Sequence, residues 1–275
     1  DNCALFVNGV FENYQTLDGS TLFLGAFFFT IQIYGDFSGY SDIAIGCARL
    51  FGIDLMQNFK YPYFSRDIAE FWRRWHISLT TWFRDYIYIP LGGSRAGKWK
   101  SFRNTLVIFL VSGFWHGANW TFVAWGAYHA LLFLPLLLLG QNRRYRDSVA
   151  ENSFLPSVKE LTQMGATFLL VLLGWILFRS EDISQAAVYL ERMFNVSLFS
   201  APQLVGLGFG QLLLKKCFFF TALMFVVEWI GRKQAHGLMI EDLSLPVRYV
   251  IYTVLLIIIY GFDASNPQGF IYFQF

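Results

Sequence analysis

Long apolar runs alternate with short charged segments along most of the chain. A helix needs roughly 20 mostly apolar residues to cross a lipid bilayer. Five runs approach that length, at 21–34 with its flanks, 120–139, 161–178, 211–230 and 247–262. The runs 43–53 and 105–114 are too short to span alone, and 194–210 is expected to form a loop or a short membrane dip. The pattern predicts an all-α, polytopic transmembrane helical bundle.

The composition supports this interpretation. The 275 residues are 55% hydrophobic, 20% aromatic and 15% charged, with a mean hydropathy of +0.43. An ordinary soluble domain is about 25% charged, so a large soluble core is the less favoured alternative. Cys3, Cys47 and Cys217 are far apart and form no CxxC, which argues against a disulfide framework and a zinc site.

Basic residues mark two segments as cytoplasmic by the positive-inside rule. They lie at 95–103 and 143–146. The 35 residues at 105–139 between them would give a helix of about 52 Å, which is long for one crossing and short for two. We therefore predict a re-entrant hairpin that breaks at Gly113 and Gly117, with His116 near the turn.

The segment 59–90 differs from the apolar runs because charges interrupt it. Ser65 is expected to cap a helix that begins at Arg66. Aromatic and aliphatic residues then follow at helical spacing, at Phe71, Trp72, Trp75, Leu79, Trp82 and Phe83. The segment is too charged to cross lipid, and we expect an interfacial helix or a helix buried inside the bundle.

Two histidines stand in aromatic surroundings, His76 in RRWHIS and His116 in SGFWHGANW. Ionisable groups inside a membrane are costly and are functional candidates. Burial disfavours charged histidine, and a neutral imidazole can take a proton from a hydroxyl as a general base. A hydrogen-bonded core histidine is the alternative for either one.

Metal binding is a rival use of His76, His116 and His129. No HxxxH or HExxH motif places two ligands on one helical face, and no acid neighbours His116 or His129. We therefore expect no metal. His236 lies in a polar loop and is expected to be only solvated.

The stretch 34–42, YGDFSGYSD, combines two glycines with two acids after an apolar run. One interpretation is a helix break that turns Asp36, Ser38 or Asp42 inward, to fix an arginine or to line a tunnel. A plain loop at the membrane surface is equally open. The chain shows no nucleophile elbow, Walker A motif or GxGxxG motif.

Three long motifs together resemble the membrane-bound O-acyltransferase family. They are QIYGDFSGYSDIAIG, FWRRWHISLTTWFRDYIYIPLGG and SGFWHGANWTFVAWGAYHA, with NPQGFIYFQF as weaker support. The resemblance is to the bacterial branch, which includes the membrane subunit of alginate O-acetylation and relatives in peptidoglycan O-acetylation and teichoic-acid D-alanylation. Family members are longer, and the chain begins at Asp1. We therefore expect residues 1–275 to form one membrane-embedded domain, the C-terminal portion of an N-terminally truncated family fold.

The resemblance implies a reaction. His116 corresponds to the family's catalytic histidine and His76 to its companion. An acyl group, here acetyl, passes from a thioester donor such as acetyl-CoA or an acyl carrier to a hydroxyl. The implied setting is a multi-pass protein of the inner membrane among membrane lipids, with no bound cofactor. The implied acceptor is an extracytoplasmic polysaccharide or a periplasmic acetyltransferase partner, and no nucleic acid is involved.

Other side chains are assigned supporting roles around that reaction. Arg74 and Asp36 are candidates for substrate binding. Asn119 is a candidate donor to the developing oxyanion, with helix capping as the alternative. Four tryptophans are expected to line or brace a tunnel, Trp72, Trp75, Trp115 and Trp120. Four basic residues are expected to attract a phosphorylated donor, Arg95, Lys98, Lys100 and Arg103.

Two other classes of protein remain open from the residues alone. One is a transporter or channel, since broken helices and intramembrane ionisable residues are common there. The other is a non-catalytic scaffold subunit of a polysaccharide-modification complex.

Overall fold

A computed structural model of the chain describes residues 2–95, 97–203 and 211–261. The regular elements in these ranges are all helical, which confirms the all-α prediction. The α-helices are α1 (Asn2–Glu12), α2 (Gly19–Leu50), α3 (Ile68–Arg74), α4 (Ile77–Phe83), α5 (Lys98–His116), α6 (Trp120–Leu138), α7 (Val158–Arg179), α8 (Ile183–Met193), α9 (Gln211–Gly231) and α10 (Leu245–Gly261).

The aromatic core lies where α1, α7 and α8 pack around the first half of α2. Phe11 of α1 stacks on Tyr189 of α8 with ring centroids 4.6 Å apart. The Tyr189 hydroxyl donates to the Leu22 carbonyl at 2.7 Å, which satisfies a fully buried phenol. These contacts fix the buried half of α2 against the rest of the bundle.

The expected break in 34–42 is wrong, because α2 continues as one helix from Gly19 to Leu50. An isolated glycine weakens a helix by about 1 kcal/mol without ending it. At Gly35 and Gly39 an added Cβ would meet nothing within 4 Å, so these positions face open space. The half of α2 before them is buried and the half after them is largely exposed.

The prediction of a single helix capped by Ser65 is also wrong in two respects. The cap is Asp67, whose side chain accepts from the Glu70 amide at 2.7 Å, and the helix begins at Ile68. The Ser65 hydroxyl instead donates to the Pro62 carbonyl. The helix then ends before His76, whose left-handed backbone (φ 43°) separates α3 from α4.

Buried ion pairs hold α3 in place. Glu70 is 1% exposed and pairs with Arg66 at 2.9 Å and with Arg74 at 2.7 Å. Arg66 also reaches Asp147 at 3.0 Å and Glu160 at 3.5 Å. Because each buried charge has a partner, α3 is tied to the segment before α7 and to α7 itself.

The hairpin of α5 and α6 is the most extensive helix pair. An added Cβ would lie 2.2 Å from the Phe122 carbonyl oxygen at Gly113, and 2.2 Å from the Phe109 carbonyl oxygen at Gly126. The two contacts run in opposite directions along the helices, so α5 and α6 are antiparallel. Small residues at both positions allow the two backbones to approach closely.

The hairpin differs in detail from the sequence prediction. α5 runs from Lys98 to His116, so Lys98, Lys100 and Arg103 lie on a helix and not in a loop. Gly113 does not break α5; the chain turns at 117–119, immediately after His116. The position of His116 at the turn is as expected, although the helix leading to it is longer.

Two helices of the described part meet the length and composition of a membrane span, α6 and α7. α10 is apolar but has 17 described residues, and the rest of the run to 262 lies outside the described ranges. α9 carries Lys215, Lys216 and Glu228. In 194–210 the structure has a short 3-10 turn, Val196–Phe199, and the segment is described to residue 203. NPQGFIYFQF also lies outside the described residues.

Candidate active site

A cavity of about 370 Å³ opens between the α3–α4 break and helices α5, α6 and α7. His76 and His116, which are 40 positions apart in the sequence, both line it. Slightly more than half of the lining residues are aromatic or aliphatic, and the others are polar or charged. A mainly apolar cavity with a small number of convergent polar side chains is typical of a small-molecule site.

His116 is the last residue of α5, and one stripe of that helix faces the cavity. Thr105, Phe109 and Ser112 precede it at helical spacing and line the same wall. The imidazole packs against two aromatic rings, Trp125 with centroids 5.3 Å apart and Phe178 with centroids 5.0 Å apart. The ring therefore has a defined position at the end of a helix.

His76 owes its position to a contact from outside α3 and α4. The Asn58 carbonyl accepts from the Ile77 amide at 2.9 Å, and the Asn58 side chain accepts from the Ser78 amide at 3.2 Å. These bonds hold the left-handed turn at His76. The His76 Nδ1 atom lies 3.4 Å from the Ser78 hydroxyl, and the ring packs edge-on against Phe37 with centroids 4.7 Å apart.

Burial lowers the pKa of His76 to about 4, so this ring is neutral at pH 7. His76 lies outside α6 and α7, the two helices of the described ranges that are long and apolar enough to span a membrane. The neighbouring Arg73 and Arg74 are not a cause of this low pKa, and both guanidinium groups contact other partners. Arg73 donates to the carbonyls of Asn142 and Tyr145, and Arg74 pairs with Glu70.

The four tryptophans divide into two pairs. Trp72 and Trp75 line the cavity, and both rings contact Phe71 with centroids 5.4 Å from it. Trp115 is 55% exposed and Trp120 is 77% exposed, and neither belongs to the cavity wall. Trp115 still contacts His116, with ring centroids 5.0 Å apart.

The other candidate binding residues lie away from the cavity. The Asn119 side chain caps α6 by accepting from the Thr121 amide at 3.1 Å, and it donates to the Glu181 carbonyl at 2.7 Å. These contacts fit the capping alternative, and Asn119 does not belong to the cavity wall. Arg74 is bound to Glu70, and Asp36 contacts Gln32 within α2.

The remaining histidines have different surroundings. His129 is fully buried in α6, and its ring nitrogens have no hydrogen-bond partner within the described residues. It packs edge-on against Trp72, with centroids 5.0 Å apart. Across the described ranges, no group of three or more His, Cys, Asp or Glu residues could hold a metal ion. His236 pairs with Asp42 at 3.3 Å, so the expectation that it is only solvated is wrong.

Positive charge near the cavity comes from residues other than those expected. Arg73, Arg84 and Arg143 contribute to its wall, whereas Arg95, Lys98, Lys100 and Arg103 do not. The sequence prediction also missed Thr105 and Ser112. Their spacing of eleven and four positions before His116 was the available signal, because such positions share one face of a helix.

The chain belongs to the membrane-bound O-acyltransferase family, whose sequence profile matches residues 9–152. That range contains the cavity's α3, α4, α5 and α6, and both histidines. The resemblance found in the motifs is therefore confirmed over the part of the chain that forms most of the site.

Individual relatives match a part of the chain. The probable alginate O-acetylase AlgI of Pseudomonas aeruginosa is 43% identical over 196 residues, which cover 70% of this chain and 36% of the relative. The peptidoglycan O-acetyltransferase of Helicobacter pylori is 36% identical over 197 residues, which cover 72% of this chain and 36% of the relative. A teichoic acid D-alanyltransferase of Streptococcus thermophilus is 40% identical over 108 residues, which cover 36% of this chain and 26% of the relative. The chain thus spans between about a quarter and little more than a third of the length of these three relatives.

Proposed function

We propose that the protein transfers an acetyl group from a thioester donor to a hydroxyl, with His116 as the general base. The observation that carries this proposal is that His76 and His116 line one cavity whose wall contains many aromatic side chains. Membership of the membrane-bound O-acyltransferase family supports acyl transfer over the transporter and scaffold alternatives.

The chemistry requires one group that accepts a proton and later returns it. The neutral His116 imidazole takes the proton of the acceptor hydroxyl as its oxygen attacks the thioester carbonyl. When the tetrahedral intermediate collapses, the C–S bond breaks and the imidazolium returns that proton to the leaving thiolate. The products are an O-acetyl ester and a free thiol, and general acid–base catalysis of this kind contributes about 10²–10⁴-fold in rate.

The remaining polar groups of the cavity suit binding and orientation. His76 is neutral, so it can orient a substrate or polarise the donor carbonyl through a hydrogen bond. Arg73, Arg84 and Arg143 place positive charge at the cavity. They are suited to the phosphates of a donor such as acetyl-CoA or to the acidic face of an acyl carrier.

The acceptor belongs to the cell envelope in this proposal. The relatives are named for alginate, peptidoglycan and teichoic acid, which supports an extracytoplasmic polysaccharide as the final acceptor. Transfer is either direct or through a periplasmic acetyltransferase partner. The corresponding location is the inner membrane, with α6 and α7 among several spans.

The test is transfer of a labelled acetyl group from acetyl-CoA by membranes that contain the protein. His116→Ala should reduce the rate by about 10²–10⁴-fold while the amount of folded protein in detergent stays the same. Trp120→Phe is the matched control, because Trp120 lies four positions away but is exposed outside the cavity. Wild-type transfer by the His116 variant would remove this residue from the mechanism.

A further inference from the structure

A second cavity of about 370 Å³ lies beside α2 and α9 and contains neither His76 nor His116. Its volume falls in the range of about 300–1,000 Å³ typical of small-molecule sites. Its wall includes side chains from four separate parts of the chain. They are Tyr34 and Asp42 of α2, Phe59 and Tyr61 before α3, Glu228 of α9, and His236 after α9.

The phenol of Tyr61 is the first sign of a ligand. Tyr61 is 5% exposed and contributes to the cavity wall. Its hydroxyl has no hydrogen-bond partner within the described part of the chain. Buried polar groups in native proteins are almost always hydrogen-bonded, so this hydroxyl is expected to meet a polar group that enters the cavity.

Glu228 provides a second unsatisfied atom in the same wall. Its Oε1 accepts a hydrogen bond from the Tyr34 hydroxyl. Its Oε2 is buried, with no partner among the residues that the structure describes. Glu228 also interacts electrostatically with Tyr61, so the two unsatisfied groups are neighbours. A carboxylate oxygen accepts and a phenol can donate or accept, which matches a hydroxyl-bearing ligand.

The side chains of the wall disfavour two other kinds of ligand, an anion and a metal ion. The acidic side chains of Asp42 and Glu228 both lie in the wall; Asp42 is 3.3 Å from His236, and Glu228 is buried with its Oε2 unpartnered among the described residues. An anionic ligand is therefore disfavoured. A metal ion is disfavoured as well, because no group of three metal-binding side chains occurs in the described ranges.

Aromatic rings complete the wall. Tyr34 and Phe59 pack edge to face with centroids 5.6 Å apart. A sugar ring has apolar C–H faces that can pack on such rings and hydroxyl groups that bond to carboxylates and phenols.

We propose that this second cavity is a subsite for a neutral sugar. Its assignment to the acceptor rests on the acyl transfer proposed above. Phe59 of this cavity and Trp75 of the histidine cavity pack with ring centroids 5.0 Å apart. A sugar held here is therefore separated from the histidine cavity by one layer of aromatic side chains, so it is a neighbouring unit of the acceptor and not the unit whose hydroxyl reacts at His116.

The test measures binding of radiolabelled cellobiose, a neutral disaccharide, to the detergent-purified protein by equilibrium dialysis. Tyr61→Phe removes only the hydroxyl, and Glu228→Gln keeps an acceptor for Tyr34. Each should raise the Kd for cellobiose by about tenfold. Tyr128→Phe is the matched control, because its phenol bonds to the Leu170 carbonyl at 2.9 Å and lies outside this cavity. It should leave the Kd unchanged.

Glucuronate and choline serve as competing probes of charge. Both should displace cellobiose poorly. No cellobiose binding, equal binding by the wild type and both cavity variants, or tighter binding of glucuronate or choline would overturn the proposal. His116→Ala should bind cellobiose normally. If the wild type binds cellobiose but transfers no acetyl group, the proposed function fails and the sugar subsite stands. If it transfers acetyl groups but does not bind cellobiose, the sugar subsite fails and the proposed function stands.

Discussion

Gly113 of α5 lies directly against the backbone of Phe122 in α6, where an added Cβ would come within 2.2 Å of the carbonyl oxygen. A carbonyl oxygen cannot move aside as a flexible side chain can. Gly113→Ala should therefore separate the two helices and destabilise the protein by about 1–3 kcal/mol. Thermal unfolding in detergent measures the effect.

Gly165→Ala in α7 is the matched control for Gly113→Ala. An added Cβ there would meet nothing within 4 Å, and alanine is the better helix former by up to about 1 kcal/mol. We expect this variant to be as stable as the wild type or slightly more stable. Equal stability of the Gly113 and Gly165 variants would show that the Gly113 backbone does not pack closely against Phe122.

Glu70 supports the site through buried charge. Glu70→Gln leaves the guanidinium groups of Arg66 and Arg74 without their shared carboxylate, and breaking a buried ion pair costs about 3–5 kcal/mol. The recovery of monodisperse protein in size-exclusion chromatography should fall sharply. Asp85→Asn, which breaks the exposed Arg84–Asp85 pair, should leave the recovery unchanged. Similar losses in both variants would contradict this role of burial.

His76 should affect transfer more than donor binding. His76→Asn is the informative variant, because asparagine tolerates the left-handed backbone at this position. Loss of an orienting hydrogen bond should lower kcat by about 10²-fold and leave the KM for acetyl-CoA nearly unchanged. Aggregation of the variant in detergent, or an increase in KM alone, would instead favour a structural or donor-binding role.

The pH profile gives a second measurement on His76. Because its pKa lies at about 4, His76 does not titrate between pH 6 and 8. The shape of the rate profile in that range should therefore be the same in the wild type and in His76→Asn. A profile that changes shape in the variant would show that His76 carries a proton in the reaction.

The α5–α6 hairpin predicts a topology. Lys98 begins α5 and Arg144 follows α6. The two helices have 19 residues each, about 28 Å, and they are antiparallel. Both sites should therefore face the cytoplasm. Single cysteines at these sites, with Cys3, Cys47 and Cys217 replaced, should react with a membrane-impermeant thiol reagent only after the cells are opened. Labelling of one site from outside would mean that the segment crosses the membrane once.

The sequence was most informative where one local pattern settled the structure. Apolar runs predicted helices, and His116 was placed at a turn because it lies next to Gly117, between two basic segments that are too close for two full crossings. The resemblance of three motifs gave the family. These properties depend on neighbouring residues, so they can be read in chain order.

The failures occur where distant residues decide. The aromatic spacing across 71–83 continues through Trp75 and His76, and it predicts an unbroken helix. The break is fixed by Asn58, which bonds to the backbone of Ile77 and Ser78. In the same way, the Arg74 guanidinium donates to the Asp147 carbonyl, 73 positions away, in addition to its i,i+4 pair with Glu70, and nothing local to Arg74 predicts the contact with Asp147.

The sequence by itself determined the helical class and the family, and it singled out His76 and His116 as candidate functional residues, since each of these depends on residue types at short spacing. Only the tertiary structure decided that His76 and His116 share one cavity and that Trp115, Trp120 and Asn119 lie outside it. It also brought Glu228 to Tyr34 across 194 positions. The physical reason is that a local pattern fixes which face of a helix is apolar, whereas packing between helices fixes which side chains meet.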